Sequence, residues 1–233
     1  MIEVEYFGNL DNGRGNLGLF ELDLLLLPPT PALKYINSSN KLDSFKCPAI
    51  TGFLKNIYFI LSPFDFTIVK QNNGYTIVND RDPEIDLSQF LIVGYPESKT
   101  LSGQPMLSIL LQYSFTNKSN NLTMSVIDPP LTPNPLTNMP GEFNISKWPR
   151  PTNFCFFLNP DCETISFKRG EPLYAVRFNT EENIKLKFIT DEKQRLKIMS
   201  EQQRAGSLKN WYPKLSLNQC YELFSDRIKG LWK

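Results

Sequence analysis

The chain has 233 residues, of which 41% are hydrophobic and 21% charged, a balance that supports a folded core and excludes a disordered or collagen-like chain. Lys and Arg total 25 against 24 acids, so no global field gathers nucleic acid or anionic lipid. Histidine is absent, which removes imidazole metal sites and every Ser or Cys nucleophile activated by an imidazole base.

Ile2, Val4 and Tyr6 alternate with polar residues, as do Phe20, Leu22, Leu24 and Leu26 after a turn-rich stretch, and this reads as an N-terminal hairpin or arm. Within it Gly13-x-Gly15-x-x-Gly18 matches a dinucleotide fingerprint in form only, because period-two residues follow it instead of a helix, and no cofactor is expected. Residues 28–46, with Pro28, Pro29 and Pro31, read as a linker or extended crossing segment.

From residue 53 onward short β-branched or aromatic runs are separated by turn residues at roughly 8 to 12 positions. They predict strands at 56–61, 65–70, 74–79, 88–94, 106–116, 121–127, 142–146, 153–158, 164–168, 173–179 and 184–189. Such spacing predicts an all-β antiparallel sandwich. Seven of the 18 prolines lie between Pro129 and Pro151, and proline has no N–H for a ladder, so this stretch is expected to leave the sheets as a rigid crossover or as a loop for an aromatic groove.

At Thr190 the period changes to that of a helix, N-capped by Thr190, carrying Asp191 and Glu192 in its first turn and ending at Gly206. Its apolar residues, Leu196, Ile198 and Met199, form a narrow patch, which suits a surface helix or one that reaches another chain. A second helix opens with the capping box Ser216-Leu217-Asn218-Gln219 and stops at Gly230. Leu217, Cys220, Tyr221, Phe224, Ile228 and Leu231 make one apolar stripe along it, which requires a partner surface. The expected organisation is a hairpin and linker over 1–46, a β-sandwich over 47–190 and a helical tail over 191–233.

Charge is uneven along the chain: residues 181–233 hold 11 basic and 7 acidic side chains, net +4, leaving net −3 for residues 1–180. Solvated helix faces explain a tail of this kind, and no nucleic-acid partner is read from it. The acidic, alternating start has no secretory pattern, and the longest apolar run, Leu24 to Leu27, is far short of the roughly 20 residues of a membrane span. An unsecreted protein without a membrane partner is expected. Four sequons, at Asn37, Asn117, Asn121 and Asn144, are then read as asparagine-rich composition, and Cys47, Cys155, Cys162 and Cys220 as free buried thiols.

Cys47-Pro48-Ala49-Ile50, the run Leu54 to Ile60, Ser62-Pro63-Phe64-Asp65-Phe66-Thr67-Ile68, the stretch Gly141 to Pro151 with Trp148-Pro149-Arg150-Pro151, and Phe167-Lys168-Arg169-Gly170-Glu171-Pro172-Leu173-Tyr174 occur in this order. Together, over about residues 47–192, they resemble a family of uncharacterised proteins of large tailed, mainly marine, bacteriophages. That resemblance implies a setting, a phage product with a jelly-roll-like core, and not a mechanism; from the motifs, no cofactor and no metal are expected. Read physically, Pro63 and Gly170 serve two strand-to-strand turns. Trp148 and Arg150 form either a corner tied by one ring and an ion pair to Glu142, or a platform for a sugar or peptide.

Catalytic chemistry is thinly supported. Asp65, Glu142, Asp161, Glu163 and Glu171 lie near turns, but no spacing sets two of them across one cleft, although carboxylate chemistry stays open. Cys155 sits in an apolar run, and Cys162 between two acids is a poor thiolate. The expectation is a non-enzymatic structural or virion-associated protein, located in the virion or the infected cell's cytoplasm. It would contact other copies of itself or other phage structural proteins through Trp148, Arg150, Leu217, Tyr221, Phe224 and Ile228. The alternatives are a carbohydrate-binding or sugar-modifying protein using Trp148, Trp211, Tyr174 or Tyr212, and a soluble effector that binds a host protein.

Overall fold

Residues 1–10, 25–39, 47–71, 74–79, 87, 90–94, 106–109, 111–118, 121–147, 151, 154–159, 161–216 and 219–220 are described by a computed structural model of the chain. Alternation of apolar and polar residues makes strands with one buried face, and the described strands follow the predicted runs closely. Among them β1 (Ile2–Leu10), β8 (Leu111–Thr116) and β15 (Ile184–Phe188) form one sheet in the order β15-β1-β8. A second sheet has the order β11-β9-β14-β3-β2, built from β2 (Thr30–Pro31), β3 (Ile57–Leu61), β9 (Thr123–Ile127), β11 (Gly141–Asn144) and β14 (Pro172–Phe178). Strands β4 (Phe66–Gln71), β5 (Gly74–Val78) and β13 (Thr164–Phe167) form a third, ordered β13-β4-β5. In the fourth, β10 (Leu136–Asn138), β12 (Phe154–Leu158), β7 (Met106–Ile109) and β6 (Leu91–Gly94) are neighbours in that order. Every pairing among the described strands is antiparallel except β1 with β15. The protein is mostly β, with few helices, and no described sheet closes into a barrel.

Strand β1 corrects the expectation of an N-terminal arm. It lies between β8 and β15, and its inward residues Val4 and Tyr6 join the main core with Tyr113, Phe115 and Phe178. A strand that fills the centre of a sheet is held by two ladders and buries its apolar face, so it does not extend as a free arm. Residues 20–24, most of the expected partner strand, lie outside the described residues.

The supposed linker is also partly helical. Helix α1 (Ala32–Ser39) follows β2, and α2 (Pro48–Phe53) begins with proline in its first turn, where the missing N–H costs no hydrogen bond. Ala32 and Ile36, one turn apart, pack with Leu54, Ile57, Phe59 and Ala175 into a second core. Their apolar spacing was masked in the sequence by the prolines before it. Strand β3 is therefore buried on both faces: Tyr58 and Ile60 enter the main core while Ile57 and Phe59 face α1.

The run 106–116, read as one strand, divides between two sheets as β7 and β8. Likewise β3 and β14 pair in the second sheet while their continuations β4 and β13 pair in the third. The two connections, Ser62 to Asp65 and Lys168 to Glu171, are thus corners between sheets and not hairpin turns. They interlock: Ser62 N–H donates to the Glu171 carbonyl (2.8 Å) and Gly170 N–H donates to the Ser62 carbonyl (2.9 Å). Gly170 has φ of +89°, a region that a Cβ disfavours. Asn56, at φ 60°, stitches the start of β3 to the β14–β15 loop, donating to the Thr180 and Glu182 carbonyls and accepting from Ile184 N–H.

Helix α3 (Glu192–Trp211) differs from its expected bounds at both ends. Asp191, not Thr190, is the N-cap, its carboxylate accepting from Lys193 N–H at 2.9 Å. The helix also runs through Gly206 to Trp211, because a glycine stops a helix only when its backbone turns left-handed. Ile198 packs on Phe7 and Ile189, covering the outer face of β1. Buried Arg195 donates through Nε to the Ile189 carbonyl (2.5 Å) and lies 4.7 Å from the Phe188 ring centre. Among the described residues no helix is long and apolar enough to cross a membrane.

Candidate functional site

Of the residues singled out from the sequence, Trp148, Arg150, Leu217, Tyr221, Phe224 and Ile228 all lie outside the described residues. Their flanks are informative. The capping box forms as expected, with Ser216 N–H donating to Gln219 Oε1 at 2.8 Å and Gln219 N–H to Ser216 Oγ at 3.1 Å. Cys220, the described member of the apolar stripe, is fully buried. Pro151, on the other side of the Trp148 motif, bridges to Ser114 of β8.

Two of the turn carboxylates serve the backbone. Asp65 accepts from Arg169 N–H at 2.6 Å, and Glu171 from Lys168 N–H at 2.9 Å, both within the interlocked corner. Glu142 accepts from Ser125 Oγ at 3.4 Å. The best-buried acid described is Glu5 on β1, reached by Lys187 at 3.6 Å, Lys118 at 4.0 Å and Gln194 Nε2 at 3.3 Å. Lys187 also bonds Glu3, whose hydrogen bond and charge, with that of Glu5, raise the lysine above its ordinary pKa. Opposed charges here bind β1 to β15 and to the end of β8, and the neutral Gln194 amide ties it to α3. No group of three or more Cys, Asp or Glu among the described residues is arranged to hold a metal ion.

All four cysteines are free thiols, as expected, but Cys47 is exposed and only Cys220 is buried. Tyr174, one of the aromatics considered for a sugar, is instead a core residue packed 6.0 Å from Phe156, and burial drives its pKa well above the usual tyrosine value. A 172–178 strand in the middle of a sheet sends alternate residues inward, and Tyr174 is one of them.

Two features do face solvent with apolar chemistry. The first is the distal half of α3, where Ser200, Arg204, Leu208 and Trp211, spaced three or four apart on one helix face, line an open groove of about 470 Å³ together with Gln203 and Tyr212. Trp211 is 82% exposed and Tyr212 57%. From Gln202 to Tyr221 the chain carries Arg204, Lys209 and Lys214 and no acid. Reading Gly206 as a stop concealed this face; the Trp-Tyr pair before Pro213 is the signal that marks it.

The second feature is the passage from β9 to β10, which crosses from the second sheet to the fourth. Its residues alternate in exposure. Leu131, Pro133, Pro135 and Met139 face solvent, whereas Thr132, Asn134, Leu136 and Asn138 turn inward. The inward set is tied down: Thr132 Oγ1 donates to the Pro129 carbonyl (3.1 Å), Asn134 Nδ2 to the Leu173 carbonyl (3.0 Å), and Asn138 N–H to Asp128 Oδ1 (2.7 Å). Leu131 sits at φ 59° with 55% of its surface exposed. The other described positive-φ positions are Asn56, Asn121 and Gly170, residue types that adopt this region at little cost.

No family model matches this sequence, and comparisons with curated proteins and with solved structures found no match.

Proposed function

We propose that this is a non-enzymatic structural or virion-associated phage protein, a jelly-roll-like sandwich that joins subunits through its appendages. One observation carries the reading: the distal half of α3 offers a groove edged by solvent-facing Trp211 and Tyr212. Large aromatics contribute most to an interface and little to an isolated monomer when exposed. The motif resemblance over residues 47–192 supplies the phage setting, and strand pairs that bend from one sheet to the next, as β3–β4 does beside β13–β14, suit a jelly-roll winding. The described carboxylates engaged in backbone hydrogen bonds support an architectural role. Mass spectrometry of purified particles tests it: the protein is expected at constant copy number per particle, and detection only in infected-cell lysate defeats the reading.

A second reading is favoured by the same rings. Trp211 and Tyr212 beside Arg204 form a surface on which a sugar can stack, and its polar edge can take hydroxyls. Glycan-array binding that disappears in Trp211→Ala would support this reading over the first.

A further inference from the structure

We infer that strand β13 pairs with β13 of a second copy of this chain about a two-fold axis at Ile165, so that one sheet runs across a dimer. The contact lies on the body of the fold, apart from the α3 groove, and goes beyond the assembly reading.

Strand β13 is the edge of its sheet and pairs with β4 alone among the described strands. The Glu163 carbonyl accepts from Lys70 N–H at 2.8 Å, and further along Ile165 lies opposite Ile68 and Phe167 opposite Phe66. Hydrogen-bonded pairs fall on every second residue of an antiparallel ladder. Glu163, Ile165 and Phe167 therefore direct their backbone groups to β4, and Thr164 and Ser166 direct theirs to the open side. Neither outward N–H has a partner among the described residues, and both residues are exposed.

Three other edges are closed. At β10 both outward donors are capped by side chains, Leu136 N–H by Asn134 Oδ1 at 2.9 Å and Asn138 N–H by Asp128 Oδ1 at 2.7 Å. Strand β2 contains Pro31, and β8 is bridged at Ser114 by Pro151. Strand β13 has no proline and no cap, although an open row of donors and acceptors invites another chain. A second strand seated there explains why this edge is left unguarded.

The ends of the open stretch fix its register. Cys162 N–H is taken by the Asn159 carbonyl (3.1 Å) and Lys168 N–H by Glu171 Oε2 (2.9 Å), so Thr164 and Ser166 are the residues left to pair. Laid antiparallel on itself, β13 sets Thr164 of each copy opposite Ser166 of the other, with about four main-chain hydrogen bonds in all. The Thr67 and Ser166 hydroxyls, 3.0 Å apart on the outer face, then continue as a row to Thr164 of the second copy.

Charge obeys the same two-fold. Asp161 and Glu163 precede the strand, Lys168 and Arg169 follow it, and all four are exposed. Asp161, Glu163 and Lys168 have no ion pair among the described residues. Antiparallel pairing brings the acidic end of each strand to the basic end of the other, so the edge is complementary to itself. Parallel pairing would bring like charges together.

Sedimentation velocity of the full-length chain, with amide exchange read at single residues, tests this. Wild type is expected as a reversible dimer, and exchange at Thr164 and Ser166 should slow as protein concentration rises. Lys168→Glu cancels the charge of the basic end and Glu163→Lys that of the acidic end, both at exposed positions where the fold should tolerate them. Each variant alone is expected to self-associate at least about fivefold more weakly than wild type. Their equimolar mixture should form a heterodimer, because it restores the attraction at one end and sets the two new charges, of opposite sign, together at the other. Ser166→Pro removes an outward N–H that the fold does not use and should be monomeric. A monomeric wild type, a dimer whose Thr164 and Ser166 amides exchange at one rate at all concentrations, or a mixture that associates no better than its components overturns the inference. Where Ser166→Pro loses its circular dichroism, the two charge variants decide. A dimer formed as described by a chain absent from particles leaves this pairing standing and defeats the assembly reading.

Discussion

The carboxylate of Asp65 accepts a 2.6 Å hydrogen bond from the backbone N–H of Arg169, a residue 104 positions further along the chain. This bond joins the two corners at which β3 becomes β4 and β13 becomes β14. The Arg169 guanidinium returns the contact by donating to the Pro63 carbonyl. Two of the motifs that stand out in the sequence are thus the halves of one device that turns a pair of strands from one sheet into another.

Breaking that device has a measurable cost. Asp65→Ala is expected to lower stability by about 1 kcal/mol in urea unfolding, and Asp65→Asn, which keeps an acceptor, by less. Gly170→Ala is expected to cost about 1 to 2 kcal/mol. No atom crowds the place of its Cβ, so the penalty comes from the backbone angle alone, and a neutral result would show that the corner relaxes.

Helix α3 buries Ile198 against Phe7 and Ile189. Ile198→Ala is expected to cost about 3 kcal/mol, whereas Leu196→Ala, at an exposed position, should change stability by less than about 0.5 kcal/mol. Hydrogen exchange over residues 192–211 checks the mechanism, because only the first substitution should speed it.

Alkaline pH should unfold the protein through its tyrosines. Burial, and to a smaller extent Tyr6, raises the Tyr113 hydroxyl far above its usual pKa of 10.0, with Arg169 opposing, and burial does the same for Tyr174. The folded state keeps these protons after the unfolded state has lost them, so stability is full below pH 10 and falls as pH rises from there toward the folded values. Phenolate absorbance from the buried rings is expected to appear together with loss of circular dichroism. Full ionisation in a folded protein would contradict the packing.

Thiol reactivity should separate the cysteines. Cys47 is expected to react first with an aromatic disulfide reagent, Cys155 and Cys162 more slowly, and Cys220 only on unfolding, following their exposure. Fast labelling of Cys220 in native buffer would show that the region around it opens locally.

Strands were legible because their signal is local. The alternation in Thr164 to Phe167 or Thr123 to Ile127 states at once which side chains turn inward. The capping box at Ser216 and Gln219 was legible for the same reason, since its two hydrogen bonds span three residues. Helix α1 was not, because proline punctuation hid a helix whose stability comes from Ala32 and Ile36 meeting Phe59 and Ala175 across the fold. Trp211 and Tyr212 were read as candidate aromatics, but their place on the rim of a groove depended on α3 continuing past Gly206.

The absence of histidine and the short alternating runs determined, by themselves, a β-rich chain without imidazole chemistry. Which strands became neighbours lay beyond that local pattern. Nothing near Ile2 indicates that it will lie beside Ile184, and nothing near Tyr174 separates a core ring from a binding ring until β14 is seen between β3 and β9. Pairing partners are chosen by the joint burial of many distant side chains, a collective energy that no single segment encodes.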